Sequence, residues 1–349
     1  MYDAYMHSVI TLTNCDWHRG ALLVAVCLFC ATGRPADLRA DEPATAATRR
    51  ALDFLVAEVP AWPQQNHCFS CHNSGDGARA LLTAHRRGWA VPDAALAETI
   101  PWLLTPANWK ANGGNSDYND QTLLNVQFGA ALAALAEDRN DLHTSTALQS
   151  AAATLAGLQA SDGSWAFEAE GVIGSPIGYG RPLTTMMTRD ILQRADRERF
   201  AAAISRANAW LLSAEPRTVL DAAAVAWGLA DIDTPDASMS ISRKLETIRS
   251  AQSDRGGWGP YMISAPEPFD TAVVLLALQQ LSATHAARGM IARGREFLIA
   301  TQLPAGRWPA TTRPAGLESY PHMISTTAWA TLALLATEPA PAATPGAAR

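Results

Sequence analysis

Apolar residues recur every three to four positions along most of this chain, which is the spacing of one face of an α-helix. The segment that starts at Thr48 places Leu52, Leu55 and Val59 on one such face. Other segments, such as AVVLLALQQ, AAAVAWGLA and WATLALLA, are apolar almost all round, which predicts helices with little contact with water. Amphipathic and wholly apolar segments alternate, so the pattern predicts pairs of outer and inner helices.

A glutamine followed six residues later by a tryptophan recurs where an outer helix ends. A glycine lies between the two residues each time, where it permits the backbone to leave the helix with a positive φ. The glutamine can satisfy backbone groups at a helix end, and the tryptophan can fill the space between neighbouring hairpins. We therefore predict a helical repeat protein. The three pairs are Gln159 and Trp165, Gln252 and Trp258, and Gln302 and Trp308.

These segments resemble the QW motifs of the squalene cyclase and protein prenyltransferase superfamily, and the resemblance covers roughly residues 45–337. It implies an all-α fold, the α/α toroid, in which about six helical hairpins form a ring. Apolar inner helices in such a ring imply a central apolar cavity that would hold a hydrophobic small molecule. The candidates for lining this cavity are Tyr179, Arg181, Tyr261, Glu267, Asp270 and Tyr320.

The first 40 residues have the pattern of a cleaved secretory signal peptide. His18 and Arg19 precede an apolar run, residues 21–31, and a polar stretch then ends at Ala40. The run is too short to span a bilayer comfortably, so cleavage would leave no integral membrane span. The alternative is a short buried helix. We expect a periplasmic or secreted protein in which residues 45–337 form the toroid and the Pro/Ala-rich residues 338–349 form a disordered tail.

Composition narrows the range of partners. Of the 349 residues, 48% are hydrophobic and 17% are charged, so the chain can bury a large core. The formal net charge is −6 and no basic run occurs, whereas a nucleic-acid-binding surface needs clustered Lys and Arg. The composition therefore argues against a nucleic-acid partner.

The turn of the first hairpin reads Cys68-Phe69-Ser70-Cys71-His72, where other turns carry the glycine and tryptophan. Cys-x-x-Cys-His is the attachment signature of c-type haem: Cys68 and Cys71 would form thioethers, and His72 would bind the iron. Removal of the signal peptide would leave no other cysteine in the chain. The alternatives are a Cys68–Cys71 disulfide, a redox dithiol, or a metal site that is short of ligands.

A closed ring would place the sixth hairpin beside the first, so His322 or Met323 could supply a sixth ligand to the haem iron. His85 is a further candidate, more than a turn along the helix. A sixth protein ligand would imply electron transfer with a periplasmic redox partner. An open site beside an apolar cavity would imply redox chemistry on a hydrophobic ligand.

The catalytic residues that the superfamily resemblance implies are not all found in this chain. The resemblance implies a catalytic acid in an Asp-x-Asp-Asp segment before Thr-Ala, but Phe269 occupies the acid position and Asp270 is left as a helix cap. The zinc site of the prenyltransferases needs a cysteine, and only Cys68 and Cys71 are available. We therefore expect an exported toroid that carries haem c. A cyclase-like or prenyltransferase-like enzyme and a non-catalytic binding scaffold are the alternatives.

Overall fold

The structure is a computed structural model that describes residues 42–111, 120–166, 172–281, 285–311, 313 and 318–338. The predicted signal peptide and almost all of the predicted tail lie outside these residues. The described residues form helices, turns and loops, and no β-strand occurs among them. The prediction of an all-α fold is therefore confirmed.

Outer and inner helices alternate along the described chain, with odd numbers for outer helices and even numbers for inner ones. A π-helical turn, Cys71–Gly77, runs directly into α2, and short 3₁₀ turns occur at Asp93–Ala95 and Pro106–Ala111. In chain order the α-helices are α1 (Glu42–Asn66), α2 (Ala78–Arg86), α3 (Thr99–Leu103), α4 (Gln121–Arg139), α5 (Leu142–Gly157), α6 (Arg181–Asp196), α7 (Ala201–Ser213), α8 (Val219–Leu229), α9 (Pro235–Ala251), α10 (Pro268–Gln280), α11 (His285–Thr301) and α12 (Tyr320–Ala336).

The inner helices form a closed ring. Each of α4, α6, α8, α10 and α12 packs on the inner helix before it, and α12 also packs on α2 and the π-helical turn. The Ser325 hydroxyl in α12 donates to Asp76 at 2.6 Å, and the Asn73 amide donates to the Tyr320 hydroxyl at 2.8 Å. The last hairpin therefore meets the first, which makes the fold an α/α toroid of six hairpins, as predicted.

The inner helices are largely buried, and α10 is buried on all sides over most of its length. In α10, every residue from Pro268 to Leu278 is buried. Burying a Val or Leu side chain in this way contributes roughly 1.5–3 kcal/mol to stability. This agrees with the sequence pattern, in which the inner segments lack a polar face.

Each of the three Gln–Trp pairs joins its own hairpin to the next outer helix. The Gln252 amide donates to the carbonyl of Gly256 at 2.7 Å and to the carbonyl of Met290 in α11 at 3.0 Å. The Trp258 indole N–H donates back to Ile248 at 2.7 Å, and its ring is fully buried. The pair therefore stabilises both its own turn and the junction with the neighbouring hairpin.

The other two pairs repeat this geometry. The Gln159 amide donates to Gly163 and to Ala203 in α7, both at 2.9 Å, and Trp165 donates to Leu155. The Gln302 amide donates to Gly306 and to Ala47 in α1, both at 2.9 Å, and Trp308 donates to Leu298. Because Ala47 belongs to the first hairpin, the third pair closes the ring.

Two hairpins differ from the predicted pattern. The outer helix of the second hairpin is only the short α3 followed by a 3₁₀ turn, because Pro106 supplies no N–H and disfavours helical backbone at Thr105. In the first hairpin, Cys71 and His72 lie at the start of the π-helical turn, and only Cys68 lies in the preceding loop. The inner helix therefore begins earlier than the sequence pattern indicates.

None of the helices in the described part of the chain has the length and apolar character needed to cross a lipid bilayer.

Candidate functional site

The centre of the ring contains a carboxyl group surrounded by polar and aromatic side chains from separate hairpins. Asp76 comes from the π-helical turn, Gln127 from α4, Tyr179 from the turn before α6, and Ser325 and Trp329 from α12. Phe269 from α10 completes the group, and all six side chains are buried. We call these six residues the central cluster. The sequence predicts an apolar cavity here, whereas the structure fills this space with side chains and includes polar ones.

Asp76 is the acidic group of the central cluster. Its Oδ1 accepts a short hydrogen bond from the Tyr179 hydroxyl, and its Oδ2 accepts from Ser325 at 2.6 Å and from the Gln127 amide at 2.9 Å. Burial raises the pKa of Asp76, while the bonds from Ser325 and Tyr179 and the charge of Arg79 act in the opposite direction. The net direction is upward, which favours the protonated acid.

Three aromatic rings lie beside this carboxyl group. The Tyr179 and Phe269 rings are nearly parallel with centroids 6.4 Å apart, and Trp329 lies edge-on to them at 5.5 and 5.7 Å. The Arg79 guanidinium lies 5.0 Å from the centroid of Trp329. Aromatic faces attract positive charge, so this side of the central cluster suits a cationic group or intermediate.

Tyr179 reaches the ring centre from an unusual backbone conformation. Its φ is +56°, and both its N–H and that of Gly178 donate to the Ser175 carbonyl. Burial, together with the charge of Asp76, raises the pKa of Tyr179 well above its ordinary value. The hydroxyl therefore stays neutral and can donate to Asp76. Left-handed backbone at a bulky residue is uncommon and clusters at functional sites.

His72 is connected to the central cluster through Ser325. Its Nδ1 lies 2.9 Å from the Ser325 Oγ and 3.3 Å from the Gln127 amide nitrogen. Because the Ser325 hydroxyl donates to Asp76, we assign the proton to His72 Nδ1, which leaves a lone pair on Nε2. Burial and, to a lesser extent, the neighbouring His322 lower the pKa of His72 to about 3, so the imidazole is neutral at physiological pH.

Cys68 and Cys71 are free thiols and are partly buried. Burial, reinforced by the charge of Asp76, raises the pKa of Cys71 to about 12. A redox dithiol needs a thiolate, so this environment disfavours that alternative at Cys71. Within the described residues, no group of three or more His, Cys, Asp or Glu side chains is arranged to hold a metal ion.

The three candidates for the sixth ligand of the haem iron differ in burial and in hydrogen-bond partners. His322 is buried in the first turn of α12, with Nδ1 bonded to Ser319 and Nε2 3.2 Å from the Arg313 carbonyl, so it could bind iron only after releasing one of these partners. Met323 follows it and is half-buried. His85 pairs with Asp138 at 3.0 Å, 13 residues beyond His72 and thus on the order of 20 Å further along a helix.

Glu267 and Asp270 bind a common partner, Arg313. The Arg313 guanidinium lies 2.7 Å from Glu267 and 2.9 Å from Asp270. Asp270 does not act as a helix cap, contrary to the sequence interpretation: the first turn of α10 has no side-chain cap. Burial raises the pKa of Asp270 to about 7, Arg313 lowers it and Glu267 raises it.

The remaining cavity candidates lie away from the central cluster. The Tyr320 hydroxyl donates to Glu58 at 2.7 Å, at the junction of α12 and α1. Arg181 and Tyr261 both line a cleft of about 540 Å³ beside the starts of α6 and α8. Arg181 there pairs with Asp162 at 3.2 Å and lies over the Trp210 ring. Of the six predicted residues, the structure therefore places only Tyr179 in the central cluster.

Sequence reasoning missed most of the central cluster. Asp76 lies in the segment predicted to be a turn, and Gln127 and Ser325 belong to short polar interruptions of apolar inner helices. Those interruptions were the available signal, because a buried polar residue needs a partner and inner helices face each other across the ring. The identity of the partners depends on ring closure, which only the structure shows.

Comparisons with known proteins show the same fold. No family model matches the sequence, and no curated protein matches it. The type II terpene cyclase MstE from Scytonema superposes with a TM-score of 0.58 at 14% identity, covering 84% of this chain and 98% of that one. A variant of MstE is known in complex with geranylgeranyl dihydroxybenzoate, its substrate.

Two further solved structures widen the comparison. An unsaturated glucuronyl hydrolase specific for heparin has a TM-score of 0.59 at 10% identity, covering 84% of this chain and 96% of that one. The ent-copalyl diphosphate synthase from Streptomyces platensis has a TM-score of 0.50 at 19% identity, covering 74% of this chain and 50% of that one. These likenesses show that the chain has the α/α toroid fold of type II terpene cyclases and of a sugar hydrolase.

Proposed function

We propose that the chain is an enzyme that acts on a hydrophobic, prenyl-type molecule by acid-initiated chemistry of the terpene-cyclase kind. The observation that carries this proposal is the buried Asp76 carboxyl, with a raised pKa, beside three aromatic rings at the centre of the ring of helices. The position that holds the acid in the superfamily is Phe269, but in this chain an acid from another hairpin lies at the centre. The geranylgeranyl substrate of MstE supports the choice of substrate class.

The proposed reaction needs only the substrate and the side chains of the central cluster. Asp76 transfers its proton to a carbon–carbon double bond of the substrate, and a carbocation forms. The remaining carboxylate is stabilised by hydrogen bonds from Tyr179, Ser325 and Gln127, which are already in place. The Tyr179, Phe269 and Trp329 rings stabilise the carbocation while a second double bond of the substrate attacks it and forms the carbon–carbon bond that closes a ring. The new cation then loses a proton to the Asp76 carboxylate, which restores the acid. Since these side chains are buried, substrate entry requires the rings to separate.

The experiment is incubation of the purified protein with geranylgeranyl-bearing substrates and squalene, followed by mass spectrometry of the extracted products. Cyclised product is expected, and Asp76→Asn is expected to abolish it because the amide keeps the shape but cannot release a proton. Asp138→Asn, which removes a carboxylate that pairs with His85 at the far end of α4, is the matched control and is expected to retain turnover. Absence of cyclised product from the wild-type protein, or full turnover by Asp76→Asn, contradicts the proposal.

The second candidate function is redox chemistry at a c-type haem attached to Cys68 and Cys71. The observation that favours it is the state of His72: Nδ1 is held by Ser325, so the neutral ring presents the Nε2 lone pair that an iron ligand needs. The residues therefore fit the group, with Cys68 and Cys71 as thioether positions and His72 as the axial ligand. When bound, the haem would supply one-electron chemistry, for exchange with a redox partner.

A pyridine haemochrome spectrum tests this second function. The full chain is exported from a host that carries out cytochrome c maturation, and c-type absorption bands are expected. Cys68→Ser/Cys71→Ser is expected to remove the bands, while Cys27→Ser/Cys30→Ser should keep them because those cysteines precede the predicted cleavage site. A spectrum without c-type bands in the wild-type protein rules out the haem.

Export is part of the same proposal, since haem attachment of this kind requires it. The signal-peptide pattern supports a periplasmic or secreted location. Sequencing the amino terminus of the exported protein is expected to find the chain starting near residue 41. An amino terminus at Met1 in the recovered protein would contradict this.

A further inference from the structure

Arg313 contacts all three elements that carry the aromatic rings of the central cluster. Its Nη2 donates to the Gly174 carbonyl at 2.9 Å, in the loop that leads to Tyr179. The same Nη2 donates to the Asp270 carboxylate at 2.9 and 3.0 Å, next to Phe269 in α10. Its own carbonyl lies 3.2 Å from Nε2 of His322, in the first turn of α12, which also carries Trp329.

Each of these contacts is close to the ring that it would affect. A Cβ on Gly174 would overlap the Tyr179 carbonyl, so the Gly174 backbone packs directly against the turn that presents Tyr179. Asp270 immediately follows Phe269 in sequence and is fully buried. His322 lies seven residues before Trp329, two helical turns along the same helix. A displacement of Arg313 would therefore change the positions of all three rings.

An arginine suits this position because its planar guanidinium offers donors in several fixed directions. The Nη2 amine donates to both Asp270 and Gly174, while the Glu267 carboxylate forms an ion pair with Nη1 at 2.7 Å without hydrogen-bond geometry. A lysine has one ammonium group at the end of a flexible chain and does not reproduce this arrangement. The guanidinium is largely buried, which strengthens its interactions with the two carboxylates.

We propose that Arg313 is a positioning residue that sets the relative placement of Tyr179, Phe269 and Trp329. The inference rests on the proposed function only for its catalytic consequence. By holding three separate elements together, Arg313 fixes the positions of the three aromatic rings around the point where the carbocation would form. It acts through these elements and touches neither the proposed acid nor the rings themselves.

The test is ¹⁹F NMR of protein labelled with 5-fluorotryptophan, in which Trp329→Phe assigns the Trp329 resonance. Arg313→Met is expected to shift this resonance or split it into two lines, because the start of α12 loses its connection to α10 and the Tyr179 turn. Arg307→Met is the matched control in the same hairpin, since Arg307 pairs with Glu318 and its ion pair involves none of Gly174, Asp270 and His322. It is expected to leave the resonance in place.

A second variant covers the case in which Arg313→Met does not fold because buried carboxylates lose their partner. Arg313→Met/Glu267→Gln/Asp270→Asn removes the carboxylate charges together with the arginine and is expected to fold with the same displaced Trp329 resonance. If the resonance is unchanged in every folded variant that lacks Arg313, the positioning role is wrong. This readout needs no turnover, so it is independent of whether cyclised product is found.

If the wild-type protein turns over substrate, kinetics add a further readout. Arg313→Met is expected to lower kcat by about tenfold to a hundredfold with a smaller change in KM, because the substrate still binds but the rings are misplaced. Arg313→Lys is expected to recover only part of the loss. A change confined to KM would contradict a positioning role.

Discussion

At the scale of single residues, burial determines the protonation of this site. Asp76 and Asp270 are both fully buried, and burial raises the pKa of each despite favourable partners. Burial lowers the pKa of His72 for the same reason, since each group avoids its charged form. Burial therefore favours the neutral form of each group, within the central cluster for Asp76 and beside it for His72 and Asp270.

Asp270 leads to a prediction about pH and stability. Its pKa is raised from 3.8 to about 7 in the folded protein, so the folded state binds the proton more tightly than the unfolded state. Asp270 therefore contributes stability below pH 4 that is lost as the pH rises to 7, an effect of roughly 4 kcal/mol. We expect Asp270→Asn to gain stability relative to the wild type across this range, as measured by urea unfolding at several pH values. A constant difference between the two proteins from pH 4 to pH 7 would show that the pKa is not raised.

The residue scale also shows where sequence reasoning stops. Cys68, Cys71 and His72 could be proposed as haem ligands from their spacing alone, because a five-residue signature needs no knowledge of the fold, and this assignment stays a prediction. Asp76 was not identifiable, because its partners Gln127, Tyr179 and Ser325 come from three distant segments. In the sequence, Asp76 cannot be distinguished from other aspartates, because its burial and its partners depend on how distant segments pack in the fold.

At the scale of elements, the Gln–Trp pairs organise the junctions between hairpins. In each pair a glycine with positive φ lies in the turn and packs against the next outer helix: Gly163 against Arg206, Gly256 against Arg293 and Gly306 against Arg50. The order of residues made this fold predictable from sequence. The pattern failed where Pro106 kept the second outer helix short and where the first inner helix began with a π-helical turn.

Gly306 gives a prediction at this scale. Its φ of +87° is strained for any residue with a Cβ, and an added Cβ would overlap the Arg50 carbonyl oxygen. We expect Gly306→Ala to destabilise the protein by at least about 2 kcal/mol, measured as a lower thermal unfolding temperature. Gly289→Ala is the control, because an added Cβ there meets no atom within 4 Å in a helix and should stabilise by roughly 0.5–1 kcal/mol. Equal effects of the two changes would contradict this account.

At the scale of the whole molecule, ring closure makes distant parts of the sequence neighbours. Gln302 and Ala47 are 255 positions apart but share a hydrogen bond of 2.9 Å, and Arg50 donates to the Gln302 side chain at 2.6 Å. The central cluster depends on the same closure, because Ser325 and Asp76 meet only when the last hairpin reaches the first. The integrity of the site is thus a property of the complete ring.

This closure can be tested by hydrogen exchange. Gln302→Ala removes the bonds to Ala47 and Arg50, so we expect faster amide exchange in α1, at the other end of the sequence. Gln252→Ala is the matched change at an internal junction and is expected to affect α11 instead, through the loss of its bond to Met290. If Gln302→Ala leaves α1 exchange unchanged, the third Gln–Trp pair does not hold the ring closed.

The packing of α12 on α1 has a consequence for chain connectivity. Tyr320, at the start of α12, bonds Glu58 near the end of α1, and from this bond α12 runs on to residue 336 while α1 runs back to residue 42. We therefore expect these two ends to lie near each other. A short linker could join them without crossing the molecule, and new termini could be opened between α10 and α11. We expect such a circular permutant, made without residues 1–40, to show the same helical circular dichroism and cooperative melting as the exported chain. The protein would then reach the same fold whichever helix came first in the chain.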